Sequence, residues 1–231
     1  MKIHGLQKMT LLDFPGKVAC TVFLGGCDLR CPFCHNAELI DGSAPAVMEE
    51  DGLLRFLETR KGLLDGVAFT GGEPLLRGDL APLMRRIREM GFAVKLDTNG
   101  THPEHLRALT DEGLIDYVAM DIKNSPERYA LTAGLEDMDL APVRESVKIL
   151  LEGKTDYEFR TTAVAELHDE DSFRQIGPWI RGARRYFLQQ FTDRDTVPFG
   201  GFHAPAAEDM RSWAEIMRPF VPETKLRGVD G

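Results

Sequence analysis

No run of apolar residues in this sequence approaches the ~20 that a membrane-crossing helix needs, and the opening Met1-Lys2-Ile3-His4-Gly5 lacks a secretory hydrophobic stretch. The cytoplasm is therefore the expected compartment. An excess of positive charge is missing too. With 28 Lys and Arg against 37 Asp and Glu, the net charge is -9, so neither nucleic-acid phosphates nor an anionic membrane is an expected partner. There is no composition shift, linker or low-complexity tract. A chain of 231 residues, 43% hydrophobic and 28% charged, then reads as one globular domain, residues 1–231, with a sizeable core. Cysteine is scarce. There are 4 in all, and the crowding of three of them into one loop suits metal binding in a reducing compartment better than a disulfide framework.

That loop, residues 25–36, reads Gly-Gly-Cys-Asp-Leu-Arg-Cys-Pro-Phe-Cys-His-Asn and sets Cys27, Cys31 and Cys34 in a C-x3-C-x2-C spacing. Thiolates are soft ligands that select zinc, copper(I) or iron-sulfur clusters. A structural zinc site or an ordinary cluster takes four protein ligands, and here the count stops at three. A 4Fe-4S cluster on this loop has one iron without a protein ligand, and an open coordination position is where chemistry happens. Other readings compete. His35 would complete a Cys3His zinc site, but adjacent side chains rarely converge on one tetrahedral ion, and the second pair of a zinc ribbon is missing. Cys20 is another candidate fourth ligand, although the apolar run 18–24 around it suits a buried core thiol. Unligated thiols are the third reading.

After an extended lead-in over 6–16, closed by Pro15-Gly16, strand-like and helix-like segments alternate. Strands are expected at 18–24, 67–70, 92–97, 117–122, 157–164 and 185–191, with a short extra one at 223–229. Helices are expected at 47–60, 80–90, 103–112, 142–152, 169–180 and 208–217. Alternation of this kind implies parallel βαβ units. A complete eight-fold barrel typically needs ~250 residues, so six units and a tail predict an α/β fold built as an incomplete (β/α)6 TIM-like barrel with an open side. A doubly wound open sheet is the alternative.

In parallel α/β folds the site lies beyond the carboxyl ends of the strands, and here those ends are polar. The second strand runs into Thr70-Gly71-Gly72-Glu73-Pro74, where two glycines let backbone approach a ligand closely and Glu73 offers a carboxylate to an ammonium. The plainer reading is a strand-to-helix turn with an acid favoured by the helix dipole. The third strand ends Asp97-Thr98-Asn99-Gly100 and the fourth Asp121-Ile122-Lys123. Singly these are turn or cap residues. Together they place two carboxylates and a lysine on one rim, with Lys123 able to hold a substrate carboxylate. Arg160 stands in an otherwise apolar strand, costly unless paired. It is expected to point into the barrel, with pairing to Glu158 or another barrel acid as the structural alternative. Gln189 and Gln190 could reach a bound ligand or serve as core-edge amides. His168 is expected to be exposed.

The cysteine spacing, with Phe33 just before the last thiol, resembles the radical S-adenosylmethionine (SAM) superfamily. His35-Asn36 and the lead-in Asp13-Phe14-Pro15-Gly16-Lys17 resemble its glycyl-radical-enzyme activating branch. Across residues 9–191 the motifs resemble anaerobic ribonucleoside-triphosphate reductase activating proteins, of the compact kind without an inserted ferredoxin-like segment; no cysteines remain for a second cluster. The resemblance implies a radical SAM barrel with a 4Fe-4S cluster on Cys27, Cys31 and Cys34. SAM would chelate the open iron through its amine and carboxylate. It implies SAM contacts from Phe33, His35, Asn36, Gly71, Gly72, Glu73, Asp97, Thr98, Asn99, Asp121, Lys123 and Arg160, and no catalytic residue beyond the cluster and SAM. A monovalent cation at Asp97, Thr98 and Asp121 is implied as well. The implied partners are a glycyl radical protein, the large subunit of anaerobic ribonucleotide reductase, and flavodoxin or ferredoxin as electron donor. Where the family often has Pro-Gly, this chain has Ala165-Glu166-Leu167. The glycine-rich segment 198–203 is either a contact for the partner's loop or an irregular connection. The rival functions are a radical SAM enzyme acting on a small molecule, such as 7-carboxy-7-deazaguanine synthase, and a zinc-stabilised binding module without turnover.

Overall fold

Continuously apolar strands followed by amphipathic helices bury both strand faces only when the strands lie side by side beneath the helices. The computed structural model, which describes residues 1–229, has that arrangement. Its strands are β1 (Lys2–Ile3), β2 (Gly5–Thr10), β3 (Ala19–Leu24), β4 (Met48–Glu49), β5 (Gly66–Gly71), β6 (Ala93–Thr98), β7 (Tyr117–Asp121), β8 (Asp156–Ala163), β9 (Tyr186–Gln190) and β10 (Thr224–Arg227). Its helices are α1 (Glu50–Glu58), α2 (Leu80–Glu89), α3 (Pro103–Asp111), α4 (Tyr129–Ala133), α5 (Ala141–Leu151), α6 (Glu170–Trp179) and α7 (Ala207–Met217).

The main sheet runs β10-β9-β8-β7-β6-β5-β3-β2. Every neighbouring pair from β3 to β10 is parallel, and β2 closes one edge antiparallel to β3. From β3 onward the strands follow chain order without reversal, so there is no topological switch point and the doubly wound alternative is excluded. The two edges, β2 and β10, do not pair with each other. This is the incomplete barrel, with the extra strand at 224–227 as its seventh parallel member. The lead-in is itself a strand, β2, rather than merely extended chain. Glycine at 16, with φ of 71°, turns the chain so that it pairs with β3. A two-stranded antiparallel pair, β1 with β4, lies apart from the main sheet.

Successive strand side chains point to opposite faces, and this alternation positions the site. Val94, Leu96, Val118, Met120 and Phe159 are fully buried in one core with Leu83, Ile87, Leu106 and Val147 of the helices, each burial stabilising by about 1.5–3 kcal/mol. The intervening positions 95, 97, 121 and 160 carry charge and meet one another on the interior face. Among the described residues no helix is long and apolar enough to cross a membrane.

Candidate functional site

One cavity of about 310 Å³ opens at the carboxyl ends of the parallel strands, at the small end of the range for ligand pockets. Cys27, Cys31, Phe33, Cys34, His35, Asn36, Gly71, Gly72, Glu73, Asp97, Thr98, Asn99, Asp121, Lys123 and Arg160 all line it. Gln189 lines it too. Gln190 does not, and donates instead from Nε2 to the Pro205 carbonyl at 2.8 Å. Thus one amide of the pair faces the cavity and the other is structural.

The cysteine loop leaves β3 at Leu24 and is held by backbone bonds from Gly26 N to Leu39 O (2.7 Å), Cys27 N to Ile40 O (2.9 Å) and Arg30 N to Ala133 O (2.8 Å). All four thiols are free. Cys20 is fully buried in the core, where burial pushes its thiol up to about 12, and it does not line the cavity. Burial likewise raises Cys27 to about 12, a preference that a bound metal cation reverses by taking the thiolate. His35 donates from Nε2 to the Thr192 carbonyl at 2.7 Å and stacks on Phe191 with centroids 5.6 Å apart. A tetrahedral zinc ion holds its sulfurs about 3.8 Å from one another. Cys27, Cys31 and Cys34 are not gathered that closely, with or without His35. Among the described residues, three such donors come within 4.8 Å at His102, Glu104 and His105 instead. Thiolates that each take a separate iron of a cluster stand farther apart, so these three fit a cluster better than one zinc ion.

The two glycines at the end of β5, Gly71 within it and Gly72 just after, serve a purpose beyond the expected one. A Cβ on Gly71, whose φ is +121°, would lie 2.3 Å from Leu24 O, and one on Gly72 would lie 1.9 Å from Gly26 O. They admit the end of β3 and the start of the cysteine loop, and both also line the cavity. Gly72 N then donates to Leu24 O and Glu73 N to Gly26 O, both at 2.8 Å, and Asn36 Nδ2 donates to Gly71 O at 3.1 Å. Glu73, 1% exposed, accepts at Oε1 from Leu75 N (2.9 Å) and Thr98 Oγ1 (2.8 Å), and at Oε2 from Asn99 N (2.7 Å). A carboxylate has about four acceptor directions, so one remains on Oε2. Burial pushes this carboxyl up to about 7 against the pull of those donors. Asn99 in turn donates from Nδ2 to Asp28 Oδ1 at 2.8 Å, tying the end of β6 to the cysteine loop.

Deeper in, five charges interlock. Lys95 pairs with Asp97 Oδ1, and Arg160 Nη2 lies 3.5 Å from Asp97 Oδ2. Arg160 Nε donates to Asp121 Oδ1 at 2.5 Å, and Lys123 Nζ to Asp121 Oδ2 at 2.8 Å. Burial raises both carboxyls, but Lys95 and Arg160 outweigh it at Asp97, and Arg160 and Lys123 outweigh it at Asp121, so both stay below the usual carboxylate range. Arg160 therefore points inward, as expected, and pairs with barrel acids other than Glu158. Glu158 is held by Arg227 (2.7 Å) and the Tyr117 hydroxyl (2.7 Å). A monovalent cation at Asp97, Thr98 and Asp121 does not fit electrostatically, because each of the four carboxylate oxygens already faces a side-chain cation that would repel a metal ion set beside it. Thr98 Oγ1 is itself occupied, donating to Glu73 and accepting from Gly100 N at 3.1 Å.

His168 also departs from expectation. It is 3% exposed, accepting at Nδ1 from Val164 N (3.1 Å) and donating from Nε2 to Lys123 O (2.8 Å). With Asn124, which donates to Leu167 O at 2.8 Å, it clamps the backbone that carries Lys123. Segment 198–203 has Phe199 exposed. It is tied down at His203, whose Nδ1 meets Glu166 Oε1 at 2.6 Å and whose O accepts from Ala165 N. The replacement of Pro-Gly by Ala165-Glu166-Leu167 thus supplies an anchor for this segment. Lys95 was missed from the sequence, although the signal was present: a lysine in the apolar strand 92–97 obeys the same cost argument as Arg160.

An open parallel barrel with three free thiols at its mouth and an acid-base ring beneath defines the class, and the chain belongs to the radical SAM superfamily. The family model described as "Radical SAM superfamily" matches residues 21–173. Membership implies a 4Fe-4S cluster and SAM. Among similar proteins, "Putative glycyl-radical enzyme activating enzyme MJ1227" of Methanocaldococcus jannaschii is 29% identical over 99% of this chain and 97% of its own length. A pyruvate formate-lyase-activating enzyme of Clostridium pasteurianum is 32% identical over 53% of this chain and 52% of its own. A 7-carboxy-7-deazaguanine synthase of Thermococcus kodakarensis is 35% identical over 57% and 58%. The latter two matches therefore span only about half of those proteins. Among solved structures, Streptococcus suis SuiB bound to SAM superposes with a TM-score of 0.69 at 13% identity, over 90% of this chain and 52% of that one. A domain of pyruvate-formate lyase-activating enzyme from Bacteroides vulgatus gives 0.58 at 17%, over 71% and 99%. At these identities the likeness is one of fold.

Proposed function

We propose that this chain, acting as one domain in the cytoplasm, is a glycyl-radical-enzyme activating enzyme whose partner is an anaerobic ribonucleotide reductase. It would cleave SAM reductively to methionine and a 5'-deoxyadenosyl radical, which removes hydrogen from one glycine Cα of the partner. The observation that carries the activating-enzyme reading is the end-to-end similarity, over 99% of this chain, to a protein described as a putative glycyl-radical enzyme activating enzyme; the reductase as partner is supported by the motif resemblance across residues 9–191. Cys27, Cys31 and Cys34 would hold the 4Fe-4S cluster, which would supply one-electron chemistry there, with flavodoxin or ferredoxin as the donor. Among the described residues neither candidate for a fourth protein ligand stands by: Cys20 is in the core, and His35 is turned to Thr192.

The chain's own residues then bind and orient. Glu73 meets the SAM amine with its remaining acceptor direction, and Lys123 meets the carboxylate in a charge-assisted contact. Phe33, His35, Asn36, Gly71, Gly72, Asn99 and Gln189 form the surrounding walls, Gln189 toward the adenine. A primary carbon radical must form in a dry, closed site. The gap between the unpaired edges β2 and β10 admits a glycine-bearing loop, and the partner supplies the missing wall.

The second reading, a radical SAM enzyme acting on a small molecule, draws support from the 35% identity to 7-carboxy-7-deazaguanine synthase over about half the chain. One labelling experiment separates the two. The cluster-loaded protein is incubated with SAM, a reductant and a candidate reductase containing α-deuterated glycine. The proposal expects deuterium in 5'-deoxyadenosine. Brisk SAM cleavage with no label transferred from any glycyl radical protein, but with label taken from a small-molecule substrate, overturns it.

A further inference from the structure

Two partly buried carboxylates and three cations, one of them the buried Lys95, make an odd count. Asp97 and Asp121 offer four oxygens, and Lys95, Arg160 and Lys123 meet all four. The side chains are 15%, 22%, 3%, 20% and 17% exposed, in the order just named, so water screens them little. Lys95 is the deepest of the five. It enters from the same strand as Asp97, two residues earlier and hence on the same face. A metal ion placed between the two acids would have to displace one of these nitrogens and then sit against the others. Removing any one cation would leave a buried carboxylate oxygen without its partner.

We propose that this barrel carries its own cations: the Lys95 ammonium on Asp97 and the Arg160 guanidinium, which bridges Asp97 and Asp121, together take the carboxylate oxygens that a monovalent metal ion would need, so that SAM binding is independent of such ions. The inference rests on the SAM-binding reading above. It also bears on the charge of this group of five. Three cations against two carboxylates leave one positive charge in excess, and Lys123, at the cavity wall, presents it to an incoming carboxylate. Lys95 is a positioning residue in this scheme. It acts by holding Asp97, which holds Arg160, which aligns Asp121 and through it Lys123.

The test is SAM affinity of the cluster-loaded protein, measured by equilibrium dialysis under anaerobic conditions. Potassium chloride is compared with tetramethylammonium chloride at equal ionic strength, so that screening is constant. The wild-type affinity is expected to be the same in both salts. Lys95→Met is expected to bind SAM about ten-fold more weakly in tetramethylammonium, as a buried charge-assisted contact is lost, and to recover on adding potassium, which enters the vacated place. Rescue by the ion is an effect that general loosening of the barrel would not give. A wild-type affinity that climbs and saturates with potassium overturns the inference whatever the variant does, including a variant that fails to fold. A wild-type protein that assembles its cluster and binds SAM in neither salt overturns the functional reading itself, and this inference with it.

Discussion

His168 illustrates how a single side chain can matter without touching a ligand. Its ring bridges Val164 and the Lys123 carbonyl, and burial pushes it from 6.5 down to about 4. The folded state holds it neutral, while the unfolded chain takes up a proton near its ordinary value. The stability it contributes is therefore complete above pH 6.5 and is lost as pH falls toward 4, by on the order of 3 kcal/mol. Urea unfolding of the wild-type protein across that window is expected to show the loss. His168→Gln, which keeps a donor for the Lys123 carbonyl, is expected to flatten it; an unchanged pH slope in the variant would refute this. Residue by residue, the sequence was most legible where a cost had to be met. Arg160 in an apolar strand could be placed inside the barrel because an unpaired buried charge is expensive. His168 gave no such signal, since a histidine just before the helix-capping Asp169 looks solvent-facing until the 122–125 loop folds over it.

At the level of elements, the turn after β5 and the loop after β3 form one unit. Gly72 lies where any side chain would collide with Gly26 O, and the collision is with backbone, which cannot swing aside. Gly72→Ala is expected to lower stability by roughly 1–3 kcal/mol and to cut the iron retained after anaerobic reconstitution. Gly78→Ala, with no heavy atom within 4 Å of its new carbon, is expected to change stability by under about 0.5 kcal/mol. Equal iron content in the two variants would show that the loop does not depend on this contact. The six main strands and their helices could be read from apolar periodicity because each buries a full face. β2 could not, since Gly5–Thr10 is largely exposed edge and its pairing is set by β3, distant in pattern though near in sequence. The short α4, five residues held between the site loops, is too brief to show a helical period. The purpose of Gly71 and Gly72 was likewise hidden, because what they must clear is backbone that arrives from elsewhere in the chain.

Across the whole molecule, one arrangement joins fold to chemistry. Strands in unreversed order bring the cysteine loop, the Gly-Gly-Glu turn and the charged ends of β6, β7 and β8 to one mouth, and the unpaired edges leave that mouth open at the side. Sequence order alone made this predictable, since each motif follows its own strand and parallel strands expose all such ends together. What spacing could not give was the internal neutralisation of Asp97 and Asp121, which depends on the register that sets β6, β7 and β8 side by side. The central claim is that three cysteines leave one iron of the cluster for SAM. Mössbauer spectroscopy of the protein loaded with iron-57, before and after SAM is added, tests it most directly. One iron site of the four is expected to change its isomer shift when SAM binds, while the other three stay as they were; four sites that are all unchanged by bound SAM would contradict the claim.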